Sequence, residues 1–71
     1  MPNMIPVSSS NLSAVGYDGQ TMQLFIRFHS GALYVYNNVP QSIYEGLMSA
    51  SSHGQYHAAY IKNAYSYRRL S

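Results

Sequence analysis

"TMQLFIRFHSGALYVY", Thr21 to Tyr36, decides the fold. From Thr21 to His29 the apolar residues fall two apart. A strand alternates its side chains, so Met22, Leu24, Ile26 and Phe28 share one face. Ser30-Gly31 breaks the run with a turn signal, because glycine reaches positive φ without steric penalty. Ala32 to Tyr36 then alternates again. A two-residue loop at Ser30-Gly31 sets Phe28 opposite Leu33 and Ile26 opposite Val35. It also sets Arg27 opposite Tyr34 and Phe25 opposite Tyr36.

Upstream, Leu12 to Tyr17 reads as a strand, and Asp18-Gly19 as a second two-residue turn. That turn sets Val15 against Met22 and Ala14 against Gln23. The two turns agree on parity. One side of the meander then carries Val15, Met22, Leu24, Ile26, Phe28, Leu33 and Val35, an aliphatic core face. The other carries Leu12, Gln23, Phe25, Arg27, His29, Tyr34 and Tyr36, an aromatic and basic face that is either open to ligands or a second core layer covered by the second helix and the C-terminal segment.

The aliphatic face needs a cover. Pro40, near the favoured first helical position, begins a stripe with Ile43, Tyr44 and Leu47 at i, i+3, i+4 and i+7, and Met48 widens it. This helix ends near Ala50. Ser51 to Gly54 reads as a loop and Gln55 to Lys62 as a second short helix. Tyr65 to Leu70 alternates again and adds a closing strand, with Tyr65, Tyr67 and Arg69 on one side. Residues 1–9 form a flexible arm, with a short strand at Ile5 to Val7. Residues 10–71 form one domain. The class is α+β: a three-stranded antiparallel meander, two helices and a C-terminal strand, β-β-β-α-α-β.

With 71 residues the chain holds one domain, and a domain this size buries only about 60% of its extended-chain surface. There is no cysteine, which excludes disulfides and thiolate metal sites. No apolar run approaches the ~18 residues of a membrane span. The start lacks a basic, then apolar, leader pattern, so the cytoplasm is the expected location. Arg27, Lys62, Arg68 and Arg69 oppose only Asp18 and Glu45, giving a net charge of +2. Three of the cations fall in the last ten residues, which favours an anionic partner.

Eight tyrosines stand beside two phenylalanines and no tryptophan. Tyrosine pairs a flat apolar ring with a hydroxyl and suits surfaces that stack and hydrogen-bond together. Tyr34, Tyr36 and Phe25 are therefore candidate base-stacking residues, with Arg27 beside them for a phosphate. Tyr65 and Tyr67, interleaved with Lys62, Arg68 and Arg69, are a second candidate group, of the composition that single-strand binders share. His53 and His57 are four apart and would share a helix face, yet zinc needs further ligands that nothing nearby supplies. The two carboxylates are not placed together, and no G-x-S-x-G or phosphate-cradling loop is present. No enzyme, metal or cofactor is expected.

The ordered set "SSNLSAVGYD", "FHSG", "YVYNNVP", "QSIYEGLM", "SSHGQYH" and "YIKNAYSYRRL" resembles the KTSC domain from about Val7 to Leu70. That family occurs as small stand-alone bacterial and phage proteins and at the C-terminus of some lysyl-tRNA synthetases. Its central mark is a Tyr-x-Tyr, here Tyr34-Val35-Tyr36, followed by Val-Pro and a helix. Gly54, Tyr56, Ile61, Tyr65 and Tyr67 match the family's Gly-x-Tyr and later Ile and Tyr positions. His57 and Ala58 stand where the family often has an aromatic and an Asn. The family is richer in arginine near Lys62 to Ala64, so the departure here implies weak phosphate contact. The resemblance, with the residues above, implies a non-catalytic module for RNA or single-stranded nucleic acid. Its expected site is Phe25, Arg27, Tyr34, Tyr36, Tyr56, Lys62, Tyr65, Tyr67 and Arg68. Two other readings fit the same tyrosines. One is a protein-interaction or self-dimerisation surface, the other a pocket for a small nucleotide-like anion.

Overall fold

The computed structural model describes residues 1–71. Five strands form one antiparallel sheet in sequential order: β1 (Ile5–Pro6), β2 (Leu12–Asp18), β3 (Gln23–Phe28), β4 (Leu33–Tyr36) and β5 (Tyr67–Arg69). Between β4 and β5 the chain forms α1 (Gln41–Ser49) and α2 (His53–Tyr60). The expected order holds, and the short strand within residues 1–9 becomes the edge strand β1. The C-terminal strand pairs with β4, placing Tyr67 opposite Tyr36 and Arg69 opposite Tyr34. Tyr65, expected in that strand, precedes it.

The register of β4 differs from the expectation by one residue. Leu24 lies opposite Tyr36, Phe25 opposite Val35, Ile26 opposite Tyr34 and Arg27 opposite Leu33. The cause is the loop. It has three residues, His29 to Gly31, because the Phe28 N–H donates to the Ala32 carbonyl at 2.9 Å and the Gly31 N–H to the Phe28 carbonyl at 2.9 Å. Gly31 adopts φ +96°, the left-handed geometry that a three-residue hairpin loop demands. With side chains alternating at every residue, one extra loop residue turns all of β4 over. Leu33 and Val35 move to the outer face, and Tyr34 and Tyr36 move beneath the helices.

The first hairpin also departs from the two-residue reading, without that consequence. Asp18 pairs with Gln23, leaving a four-residue loop from Gly19 to Met22. Asp18 Oδ1 accepts from the Gln20 N–H at 3.0 Å inside it. Val15 therefore faces Ile26 and Ala14 faces Arg27, in place of Met22 and Gln23. The shift is even, so Val15, Leu24 and Ile26 stay on one face. Met22, expected in the core, sits in the loop with φ 57° and is exposed. An irregularity between Leu12 and Ala14 brings Leu12 opposite Phe28 and into the main core, off the face expected for it.

Both helices cover the inner face. The main core joins Leu12, Val15, Leu24, Ile26 and Tyr36 from the sheet to Val39, Leu47 and Ile61, with Ile43, Tyr44 and Met48 of the expected stripe packed against it. Pro40 is the N-cap of α1 in extended conformation, one place before the expected position. At the other end, the Ser49 hydroxyl donates to the Glu45 carbonyl at 2.9 Å, and Ala50 is already extended. α2 starts at His53, two residues before the expected start. The Ser52 hydroxyl accepts from the Gln55 N–H at 3.2 Å, satisfying an N–H that the first helical turn leaves free. His53 Nδ1 donates to the Leu47 carbonyl at 2.8 Å and ties the two helices together.

The outer face carries a second, smaller cluster of Phe25, Leu33 and Val35, with Met4 packed against it. Val35 is only 1% exposed there. The arm also folds over Gly16, where an added Cβ would lie 2.7 Å from Met4 Sδ and 2.9 Å from the Asn3 carbonyl oxygen. Residues 2–4 of the expected flexible arm are thus packed against the sheet. The face expected to be aromatic and basic is a covered apolar layer at its centre, flanked by Arg27 and Arg68.

Candidate functional site

The flipped β4 register builds a cleft. Its floor is the inner face of the sheet near the β3–β4 turn, and its other wall is α2. The cleft has a volume of about 310 Å³ and an apolar lining from Phe28, Ala32, Tyr34, Tyr36 and Tyr67. Gly54, His57 and Ala58 supply the helical wall, and Asn11 and Lys62 stand among the polar lining groups. No carboxylate belongs to this lining.

Each wall has a local cause. Alternation in β4 puts Tyr34 and Tyr36 on one side, and pairing with β5 brings Tyr67 directly beside Tyr36. The Tyr34 and Tyr67 rings stack at 5.3 Å with 17° between planes. Phe28 stands edge-on to Tyr34 at 5.5 Å and to His57 at 5.3 Å. On α2, Gly54, His57 and Ala58 fall at i, i+3 and i+4, so one helical face turns to the cleft. The N–H groups of Ile61 and Lys62 both bond to the His57 carbonyl, at 3.1 and 2.9 Å, closing the helix just before Lys62.

At the inner end Tyr36 Oη and His57 Nε2 are 2.8 Å apart. Tyr36 is 2% exposed and His57 5%. Burial, with smaller contributions from Tyr34 and Tyr67, pushes the Tyr36 hydroxyl up to about 12. Burial and then the Lys62 charge hold the His57 imidazole below its ordinary value. Both shifts disfavour charge, so the pair is neutral at pH 7 and shares one hydrogen bond. Tyr67 lies at the opposite extreme, 54% exposed at the sheet edge.

The expected site residues divide into two sets. Tyr34, Tyr36, Lys62 and Tyr67 meet at the cleft. Phe25, Arg27 and Arg68 lie on the outer face, opposite Val35, Leu33 and Val35 in the β3–β4 and β4–β5 pairings. Arg27 there donates to the Gly31 carbonyl at 3.1 Å. Tyr56 packs between the helices against Gly46, and its ring is 4.7 Å from that of Tyr60. Tyr65 is half-buried against the main core. Sequence reasoning missed Phe28 and His57 as cleft residues. The signal for His57 was the Gly54, His57, Ala58, Ile61 stripe at helical spacing, which a helix beginning at Gln55 cannot reveal. His53 and His57 do not converge on a common point, since one bonds to Leu47 and the other to Tyr36.

Comparison with known proteins gives a consistent result. The sequence model of the KTSC domain matches residues 8–65. A protein of Tsukamurella paurometabola is 39% identical over 59 residues, covering 83% of this chain and 88% of that one. A lysine–tRNA ligase of Nostoc sp. is 35% identical over 68 residues, 96% of this chain but only 12% of the ligase. The crystal structure of a KTSC domain protein from Yersinia pestis superimposes with a TM-score of 0.96 at 32% identity, over 100% of both chains.

Proposed function

The chain belongs to the KTSC family, and we propose that it acts as a small non-catalytic module that binds RNA or single-stranded nucleic acid through the cleft. The observation that carries this reading is the lining itself. Phe28, Tyr34 and Tyr67 present aromatic surface beside one lysine, and no carboxylate intervenes. Unstacked bases bind such surfaces through ring stacking, while a nearby cation takes the phosphate. The sequence likeness to a segment of lysine–tRNA ligases places related domains in proteins that handle an RNA. The net charge of +2 favours an anionic ligand. No helix is long and apolar enough to cross a membrane.

Fluorescence anisotropy with labelled RNA and DNA oligonucleotides tests the proposal. Tyr67→Ala removes an exposed ring, so folding is retained by circular dichroism while affinity falls. Base–aromatic stacking contributes ~1–3 kcal/mol, which corresponds to a loss of about 5- to 150-fold. Lys62→Ala weakens binding further and lowers its salt dependence. An affinity unchanged in both variants eliminates the cleft as a nucleic-acid site.

A further inference from the structure

We infer that the cleft accepts one nucleoside monophosphate unit, base inward and phosphate at Lys62, and does not track a strand. This rests on the nucleic-acid reading above and sharpens it. Proteins that follow single strands combine repeated stacking platforms with a basic groove along the backbone. Here the platform does not continue beyond the cleft. Tyr56 is packed against Gly46, Tyr65 against the core and Phe25 into the outer cluster; Tyr60 is exposed but lies outside the lining, with its ring against that of Tyr56. The lining holds no row of cations either. Lys62 is the one cation in the lining; Arg69, opposite Tyr34 on the same side of the sheet, lies outside it and donates its Nε–H to the Ser71 carbonyl at 2.9 Å, while Arg27 and Arg68 are paired opposite Leu33 and Val35 on the far side.

Size points the same way. A volume of about 310 Å³ lies at the bottom of the ~300–1,000 Å³ typical of small-molecule pockets. One ring and its sugar fill such a space. The deepest lining residues, Tyr36 and His57, already satisfy one another, so the inner end is a firm stop of fixed shape. Gly54 sets the width on the helical side. A Cβ there would rest 3.8 Å from Asn11 Cβ and 3.9 Å from Ser9 Oγ, ordinary contact distances. An alanine at this place therefore fits the fold but narrows the opening between α2 and Asn11. The unit recognised could be a free nucleotide or a splayed residue of an RNA, and its chemistry is the same.

The test is titration of 5′-mononucleotides, their nucleosides, trinucleotides and decanucleotides, each at 50 and 200 mM salt. One phosphate contact gives the decanucleotide a log–log salt slope of about −0.7, a loss near 2.6-fold between the two salts. Nucleosides bind more weakly than mononucleotides, and Lys62→Ala erases that difference. Gly54→Ala weakens binding at least threefold while its thermal midpoint is unchanged or raised. Mononucleotides binding as tightly as decanucleotides indicate a free nucleotide as ligand. Trinucleotides binding tighter, with no further gain at ten, indicate a unit within a strand. A slope of −2 or steeper, affinity that climbs from three to ten nucleotides, or dependence on Arg27, Arg68 or Arg69 overturns the one-unit inference. Tight decanucleotide binding with none for mononucleotides or trinucleotides overturns it too, and leaves the nucleic-acid reading standing. No binding of any of these probes removes both.

Discussion

Replacing Tyr36 with Phe tests the buried pair on which the cleft floor rests. Ring volume is kept, so no cavity opens and only the hydroxyl is lost. His57 Nε2, 2.8 Å from that hydroxyl in the wild type, is left without a protein partner in a buried place. An orphaned buried polar group costs about 1–3 kcal/mol. At ~4–8 °C per kcal/mol for a domain this small, the thermal midpoint falls by roughly 5–20 °C. The pH dependence gives an independent check. Tyr36 titrates near 12 when folded, whereas an unfolded tyrosine titrates near 10. Above pH 10 the unfolded chain loses this proton first, so wild-type stability falls as pH rises, by up to about 1.4 kcal/mol per unit. The Phe variant has no such proton, and the other tyrosines are common to both chains. Urea unfolding followed by circular dichroism at pH 7.5, 9, 10.5 and 11 reads the difference. The variant is less stable at pH 7.5, and the gap narrows above pH 10. A gap below about 0.5 kcal/mol at pH 7.5, or one that widens toward pH 11, refutes the reasoning.

Three further outcomes follow from other parts of the fold. His57 titrates below its unfolded value, so stability is complete above about pH 6.5 and falls below it as the unfolded chain takes up the proton first; His57→Leu flattens this acid limb in urea titrations from pH 5 to 7.5. Gly31→Ala lowers unfolding free energy by about 1–2 kcal/mol through backbone strain alone, because nothing lies within 4 Å of the added carbon, and Gly31→Asn loses less by the same measurement. Gly16→Ala drives a methyl into Met4 and the Asn3 carbonyl, lowering stability by about 1–3 kcal/mol; in a chain lacking residues 1–4 most of that loss disappears in a double-mutant cycle.

Much of the architecture was legible in the sequence because it depends on local pattern. Alternation from Leu24 to Phe28 marks a strand wherever it packs. The Ile43, Tyr44, Leu47 stripe marks a helix that must cover something, and Tyr67 to Arg69 alternates enough to join a sheet. The first loop has four residues where two were expected; it took Met22 out of the core face, yet Val15, Leu24 and Ile26 kept theirs, since the shift was even. Part of the site was legible too. Tyr34, Tyr36, Lys62 and Tyr67 were singled out as flat or cationic groups, and they do converge.

The side of the sheet on which those tyrosines stand was a tertiary matter. Ser30-Gly31 reads equally well as the whole of a two-residue loop or as the end of a three-residue one, and the two differ only in whether His29 pairs. The backbone chose three, with Gly31 left-handed. That choice let Tyr36 reach His57 on a helix 21 residues later in the chain and let Leu33 and Val35 close the outer layer with Phe25. Composition and spacing specify which residues can stack, bond or carry charge. Parity across a turn is settled by the whole set of contacts on both faces, because a strand slipped by one residue keeps its backbone hydrogen bonding and exchanges every neighbour of its side chains.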